Sequence, residues 1–254
     1  MSAPLVVVED RDRVRTIRLR RPDKINALNA AMMLDIAQGV ASADDTTLDA
    51  IVLTGEGPRG FCAGADVGEF AQGEAPLARQ EHALVAMIDA FALTPLPVLL
   101  LAYGRTLGAG GTLMTLADVV IAADDLSFGF PEIRFGMYPA IVHGALMYKL
   151  SAAQAAQLGY SGRSLTAQQA QDLGLVTQVV PRADIDAGGG PWLAYYLERR
   201  MALAIGKRTW QQSRAGAQLS ARVHALAPLM IENFRDAAVQ GMLARMFGPA
   251  PARD

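Results

Sequence analysis

Two apolar runs in this chain each break into a glycine-framed loop, and that pairing constrains the fold more than any other feature. Ile51-Val52-Leu53-Thr54 leads into Phe61-Cys62-Ala63-Gly64-Ala65-Asp66. About forty residues on, Val98-Leu99-Leu100-Leu101-Ala102-Tyr103 leads into Gly108-Ala109-Gly110-Gly111. The runs read as strands, and the segment after each loop reads as a helix. Small residues at such junctions let other atoms approach the backbone closely. The first N–H groups of a helix have no intrahelical partner. Two of them, converging from separate loops, can hold a negatively charged oxygen.

The rest of the first half repeats a strand–strand–helix or strand–helix rhythm, which is the signature of an α/β fold. Strands are expected at Leu5–Glu9, Val14–Leu19, Ala50–Thr54, in the run ending at Tyr103, and at Val119–Ala122. Helices are expected from an Asn29 cap to about Ser42, over Leu77–Leu93, and over Ala109–Ala117. After Pro139 the pattern turns helical: Ala140–Leu150, Ser151–Gly159 and Thr166–Leu173, then a short strand at Val176–Val180. Gly188-Gly189-Gly190-Pro191 is the best linker candidate. Trp192–Arg214 and Val223–Phe247 read as long helices. In the second, Leu226, Leu229, Met230, Phe234, Ala238, Met242 and Met246 form a stripe suited to a core or a subunit contact.

Composition excludes several classes. Of 254 residues, 52% are apolar and 19% charged, enough for a full core and suggestive of buried subunit contacts. A net charge of −2 provides no global field to recruit nucleic acid or an anionic membrane. Leu5–Val8 is too short for a signal-peptide core, and Leu96–Ala102 is far below a membrane span. The one cysteine, Cys62, cannot form an internal disulfide. A soluble cytoplasmic protein is expected. No metal site is expected, because His82, His143 and His224 stand far apart and without ligand spacing. Gly104-x-x-x-Gly108-x-Gly110 with Asp124 twenty residues beyond Gly104 imitates a dinucleotide fingerprint, but it lies mid-chain. A serine hydrolase is disfavoured because the chain contains no Gly-x-Ser-x-Gly elbow.

Five motifs in order resemble the crotonase superfamily of enoyl-CoA hydratases, enoyl-CoA isomerases and relatives. They are Arg21–Asn29, Phe61–Asp66, Gly108–Gly111 with Ala117-Asp118, Phe128-Gly129-Phe130-Pro131-Glu132, and Gly162 through Ala170–Val176. The resemblance spans about Leu5 to Phe247. It implies a spiral of ββα units over residues 1–190 and a helical C-terminal trimerisation region over 191–254. It also implies a homotrimer or hexamer acting on an acyl-CoA or enoyl-CoA, with coenzyme A entering as part of the substrate and no separate cofactor.

Residue by residue, Ala65 and Ala109 match the positions whose amides form the oxyanion hole. Glu132 matches the catalytic glutamate, its pKa expected to be raised by apolar neighbours such as Phe128, Phe130 and Ile133. Lys24, Ala63, Asp66 and Val67 match the region lining the adenine and pantetheine, although Asp66 can equally be a helix N-cap. The chain departs from the hydratase pattern at Thr112, where typical hydratases carry a second glutamate. A lone carboxylate tilts the expectation toward a one-base isomerase. A hydratase with a water held by Thr112, or a binding subunit without turnover, are the alternatives. His143, Tyr138 and Arg134 are further candidates for the pocket, whose floor is expected from Leu77–Leu93 and Pro139–Leu146.

Overall fold

The computed structural model describes residues 3–70, 74–213 and 218–247. Six strands form the main sheet: β1 (Val6–Arg11), β2 (Val14–Leu19), β3 (Ala50–Gly55), β4 (Val98–Ala102), β6 (Val119–Ala123) and β9 (Gln178–Val180). They lie in the order β1-β2-β3-β4-β6-β9. β1 and β2 form an antiparallel hairpin, and every later pair is parallel. β3, β4 and β6 are continuous aliphatic runs because a parallel strand covered on both faces has no polar side to alternate. A second sheet joins three short strands in the order β5 (Arg105–Leu107), β7 (Ser127–Gly129), β8 (Ser164–Thr166).

Helix α1 (Ala30–Ala41) starts where expected, with Asn29 Oδ1 accepting from the Met32 amide at 2.9 Å. Its stripe of Met32, Met33, Ile36 and Val40 is buried. A short α2 (Val67–Phe70) follows the first loop, and α3 (Glu74–Leu93) packs on α1. α4 (Ala109–Leu116) is buried along its whole length. Beyond it lie α5 (Ala140–Leu146), α6 (Ala152–Ser161), α7 (Ala167–Asp172), α8 (Arg182–Asp186), α9 (Gly190–Glu198) and α10 (Arg200–Gln212). Finally α11 (Leu219–Arg235) packs against α5 and α3, and α12 (Ala237–Phe247) comes last.

The segment Arg21–Asn29 is a strap over the first loop. Asn26 is fully buried at φ +52°, a left-handed conformation that asparagine tolerates better than most residues. Its side chain accepts from the Arg21 amide and donates to the carbonyls of Glu56 and Phe61, all within 2.9 Å. The Leu28 amide donates to Gly64 O, and Leu28 O accepts from the Asp66 amide. The two glycine-framed loops then lock together. A Cβ on Gly110 would lie 2.5 Å from Cys62 O, so only glycine lets α4 settle on the first loop. Cys62 is sealed beneath it, its Sγ 3.2 Å from Asn26 O, and burial pushes its thiol up to about 12.

Several expected boundaries shift. β5, β7 and β8, three residues each, are too short to show a periodicity. The helix expected over Ala140–Leu150 ends at Leu146 and continues as turns. The strand expected from Val176 starts at Gln178. The glycine run at 188–190 is no loose linker but a tight turn from α8 into α9, with all three residues at positive φ. The helix expected from Trp192 breaks at Arg199, and its expected end, Arg214, lies outside the described residues. The long C-terminal helix also divides: Asp236 stops α11 and caps α12, its Oδ1 accepting from the amides of Ala238 and Val239. The expected apolar stripe is broken as well, because Leu229 and Met246 are about half exposed while Val223, Ala227 and Phe234 are buried. The tail from Gly248, read as poorly ordered, lies outside the described residues.

Candidate active site

Strand ends and strap together place the first loop beside the second. Leu28 bridges Ala65, Cys62 bridges Thr106, and Gly60 bridges Gly104. A Cβ on Gly64, at φ +112°, would lie 3.7 Å from the Ala109 nitrogen, so the two loops touch at the expected positions. Ala109 is the first residue of α4, and its amide has no acceptor among the described residues. The Ala65 amide has none either. Both residues border one cavity of about 130 Å³.

Glu132 borders the same cavity. It sits in a single turn of 3-10 helix, Pro131–Phe135, that comes directly after β7. Proline fixes the first position of that turn, and Gly136, at φ +75°, closes it. The carboxylate points back at the second loop: a Cβ on Gly108 would fall 2.9 Å from its Oε1. Its Oε2 is closed off from solvent and has no hydrogen-bond partner among the described residues. Burial accordingly pushes its pKa up from 4.5 to about 7. Near neutrality such a group can both accept and return a proton.

Phe128, Phe130 and Ile133, the apolar neighbours expected for this carboxylate, do not line the cavity. Phe128 and Phe130 lie against Gly111 on the body of α4, and Ile133 lies against Gly162. Val67, Leu84, Phe135 and Met137 line the cavity instead, together with Ile141 and Val142 of α5. Leu84 and the α5 residues fall within the two segments expected to supply the floor. Met230, Asn233 and Phe234 of α11 complete it. Asn233 takes part in holding the wall, its Oδ1 accepting from the Tyr138 amide at 2.6 Å. Nothing near Asn233 in the sequence signals this role, since its partner is 95 residues away.

Thr112 does not border the cavity. It is fully buried, and its hydroxyl donates back along the helix to Gly108 O at 3.3 Å. Tyr138 does border it, and its hydroxyl pairs with His143 Nδ1 at 2.7 Å. His143 lies behind Tyr138; burial, helped by Arg222, holds its pKa below the ordinary value. Arg134 is exposed and does not border the cavity.

The residues matched to the coenzyme A region cluster at one end of the first loop. Ala63 and Val67 border the cavity. Lys24 is exposed in the strap, one residue before Ile25, whose carbonyl accepts from the Ala63 amide at 2.8 Å. The Asp66 carboxylate is already engaged: Arg21 pairs with it at 2.7 Å and the Gly68 amide donates to it at 3.1 Å. Asp66 thus caps α2 and ties it to the strap. A wider recess of about 770 Å³ lies between β2–β4 and the α8–α9 segment, and none of these site residues lines it.

The profile of one family, enoyl-CoA hydratase/isomerase, matches residues 9–243. The chain belongs to that family. It is 36% identical over 215 residues to the 2,3-dehydroadipyl-CoA hydratase of Escherichia coli, covering 82% of each chain. It is 34% identical over 198 residues to a probable enoyl-CoA hydratase of Mycobacterium bovis, covering 73% of this chain and 72% of that one. Among solved structures, an enoyl-CoA hydratase from Bacillus halodurans superposes with a TM-score of 0.83 at 18% identity, over 95% of this chain and all of that one. At that identity the likeness speaks for the fold, which is the crotonase fold. An enzyme of the hydratase/isomerase family acting on a CoA thioester follows from the family match.

Proposed function

We propose that the chain binds an enoyl- or acyl-CoA with its thioester oxygen between the amides of Ala65 and Ala109, while Glu132 transfers a proton at C2. The observation that carries this reading is the shared cavity: a buried carboxylate, one oxygen of which has no partner among the described residues, borders it together with two amides that have no acceptor there. Ionised Glu132 removes a C2 proton, the electron pair moves onto the thioester oxygen, and the two N–H groups hold the resulting enolate. Lys24, Ala63, Asp66 and Val67 mark the end of the site where coenzyme A lies; there Asp66 serves by fixing the loop.

One-base chemistry is the favoured form. A single carboxylate suffices to carry a proton from C2 to C4 of a 3-enoyl thioester. Adding water is easier with two carboxylates, and Thr112 spends its hydroxyl on Gly108. The hydratase names of the relatives favour the second reading, in which Glu132 alone activates water. Incubation with crotonyl-CoA and with a 3-enoyl-CoA in heavy water separates the two. Conversion of the 3-enoyl substrate alone supports the isomerase; rapid hydration of crotonyl-CoA replaces it with the hydratase. Tight thioester binding without deuterium exchange at C2 would reduce the protein to a binding subunit.

The same reading includes a homotrimer or hexamer, with the C-terminal helices from residue 191 onward contributing to the contact. The exposed Met201, Ile205, Leu229 and Met246 on those helices support it. Light scattering at micromolar concentration should return three or six times the chain mass, and a monomer mass would reject it.

A further inference from the structure

A second cluster of ionisable groups lies away from Glu132, in a recess of about 420 Å³ between the start of β6, the turn after α5, and α10. Lys207 on α10 is 3% exposed, and its Nζ sits 3.1 Å from Asp118. Asp118 is also held by the Val98 amide at 2.7 Å. Lys149 borders the same recess, and its Nζ donates to Ala117 O. An ammonium group has three donors, and Lys149 places only one of them on a partner among the described residues. Two lysines share one carboxylate, so one positive charge is unbalanced when both are protonated.

We propose that this recess is a binding site for the carboxylate or phosphate of a small molecule. The anion supplies the missing charge and accepts from Lys149 and Lys207. Tyr148 and Trp210, edge to face with centroids 5.5 Å apart, form an aromatic wall for the body of the ligand. The rim is open: Gly206 and Gly174 are both exposed, and a Cβ on either would meet nothing within 4 Å. The charged and titratable groups facing Lys149 are Asp118, Lys207 and Tyr148. Burial draws the pKa of Lys149 down to about 8, against the attraction of Asp118 and with the repulsion of Lys207. An anion in the recess favours the protonated lysine, so binding takes up protons near pH 8 and weakens as pH rises beyond it.

The test uses the whole chain with Trp192→Phe, which leaves Trp210 as the one tryptophan. Benzoate and inorganic phosphate are titrated separately, with Trp210 fluorescence and calorimetry in two buffers of different ionisation enthalpy as readouts. Saturable binding of either anion, with proton uptake at pH 8, supports the site; the anion that binds more tightly identifies the ligand class. Gly206→Leu places a bulky side chain at the rim of the recess without removing either lysine and should weaken binding about tenfold or more, while leaving turnover of the CoA thioester unchanged. Absence of saturation with both anions, binding without proton uptake, or binding that Gly206→Leu leaves intact overturns the proposal.

Discussion

Replacing Glu132 with glutamine is expected to remove essentially all turnover, by at least ~10²–10⁴-fold, while leaving thioester binding nearly unchanged. Glutamine keeps the shape of the side chain and cannot take a proton. The same substitution should raise stability at high pH, and the sign follows from the direction of the shift. Burial raises the folded-state value from 4.5 to about 7, so the folded state holds this proton more tightly than the unfolded chain. The stability it lends is fully present below about 4.5 and is lost as pH climbs to 7. Above that, the native protein carries a buried carboxylate charge with one oxygen unpartnered among the described residues. Glu132→Gln should therefore melt higher than the parent at pH 8, by an equivalent of about 3 kcal/mol, and about equal to it near pH 4. In the native enzyme kcat/KM should rise with pH through about 7 as the base ionises. A flat profile between pH 5 and 9, or an active Glu132→Gln enzyme, would remove Glu132 from the chemistry and turn attention to Tyr138 and His143.

Ala109→Pro should cost about a hundredfold or more in kcat. Proline deletes one N–H and nothing else that α4 uses, because Ala109 is the first residue of the helix, where that amide has no intrahelical partner. The loss should therefore appear in turnover with little change in melting temperature. Calorimetry and steady-state kinetics on the same preparation check both halves. A loss that tracks unfolding would mean that proline disturbs Gly108, whose φ of +51° belongs to a narrow turn against Glu132. Retained turnover in a stable variant would place the thioester oxygen elsewhere.

Long periodic segments and paired loops made much of this molecule legible from its residues. α1 with its Asn29 cap, the aliphatic strands β3, β4 and β6, and the junctions at Gly64 and Gly108 all follow from local chemistry. The juxtaposition of Ala65, Ala109 and Glu132 came instead from the family resemblance that the five ordered motifs carry. What escaped depends on partners distant in the chain. Three-residue strands have no period, so the second sheet left no trace. The division at Asp236 hangs on one capping side chain inside an otherwise helical pattern. The cavity that Glu132 borders is lined by Leu84, Phe135 and Met137 and not by Phe128 and Phe130, which lie against α4. Asn26 shows the same limit: its three hydrogen bonds reach residues 5, 30 and 35 positions away.

The sealing of Cys62 gives the loop that carries Ala65 a built-in gauge of its own opening. Its thiol lies under α4 and the strap, with burial holding it protonated far above neutral pH. No reagent can reach that sulfur until Gly110 and Asn26 draw away from it. In a chain with one cysteine, the rate of alkylation then counts how often the loop carrying Ala65 leaves its place. A ligand that engages Ala65 must slow that rate in proportion to its occupancy. Buried and protonated, the thiol thereby reports on the loop that the strap holds in place.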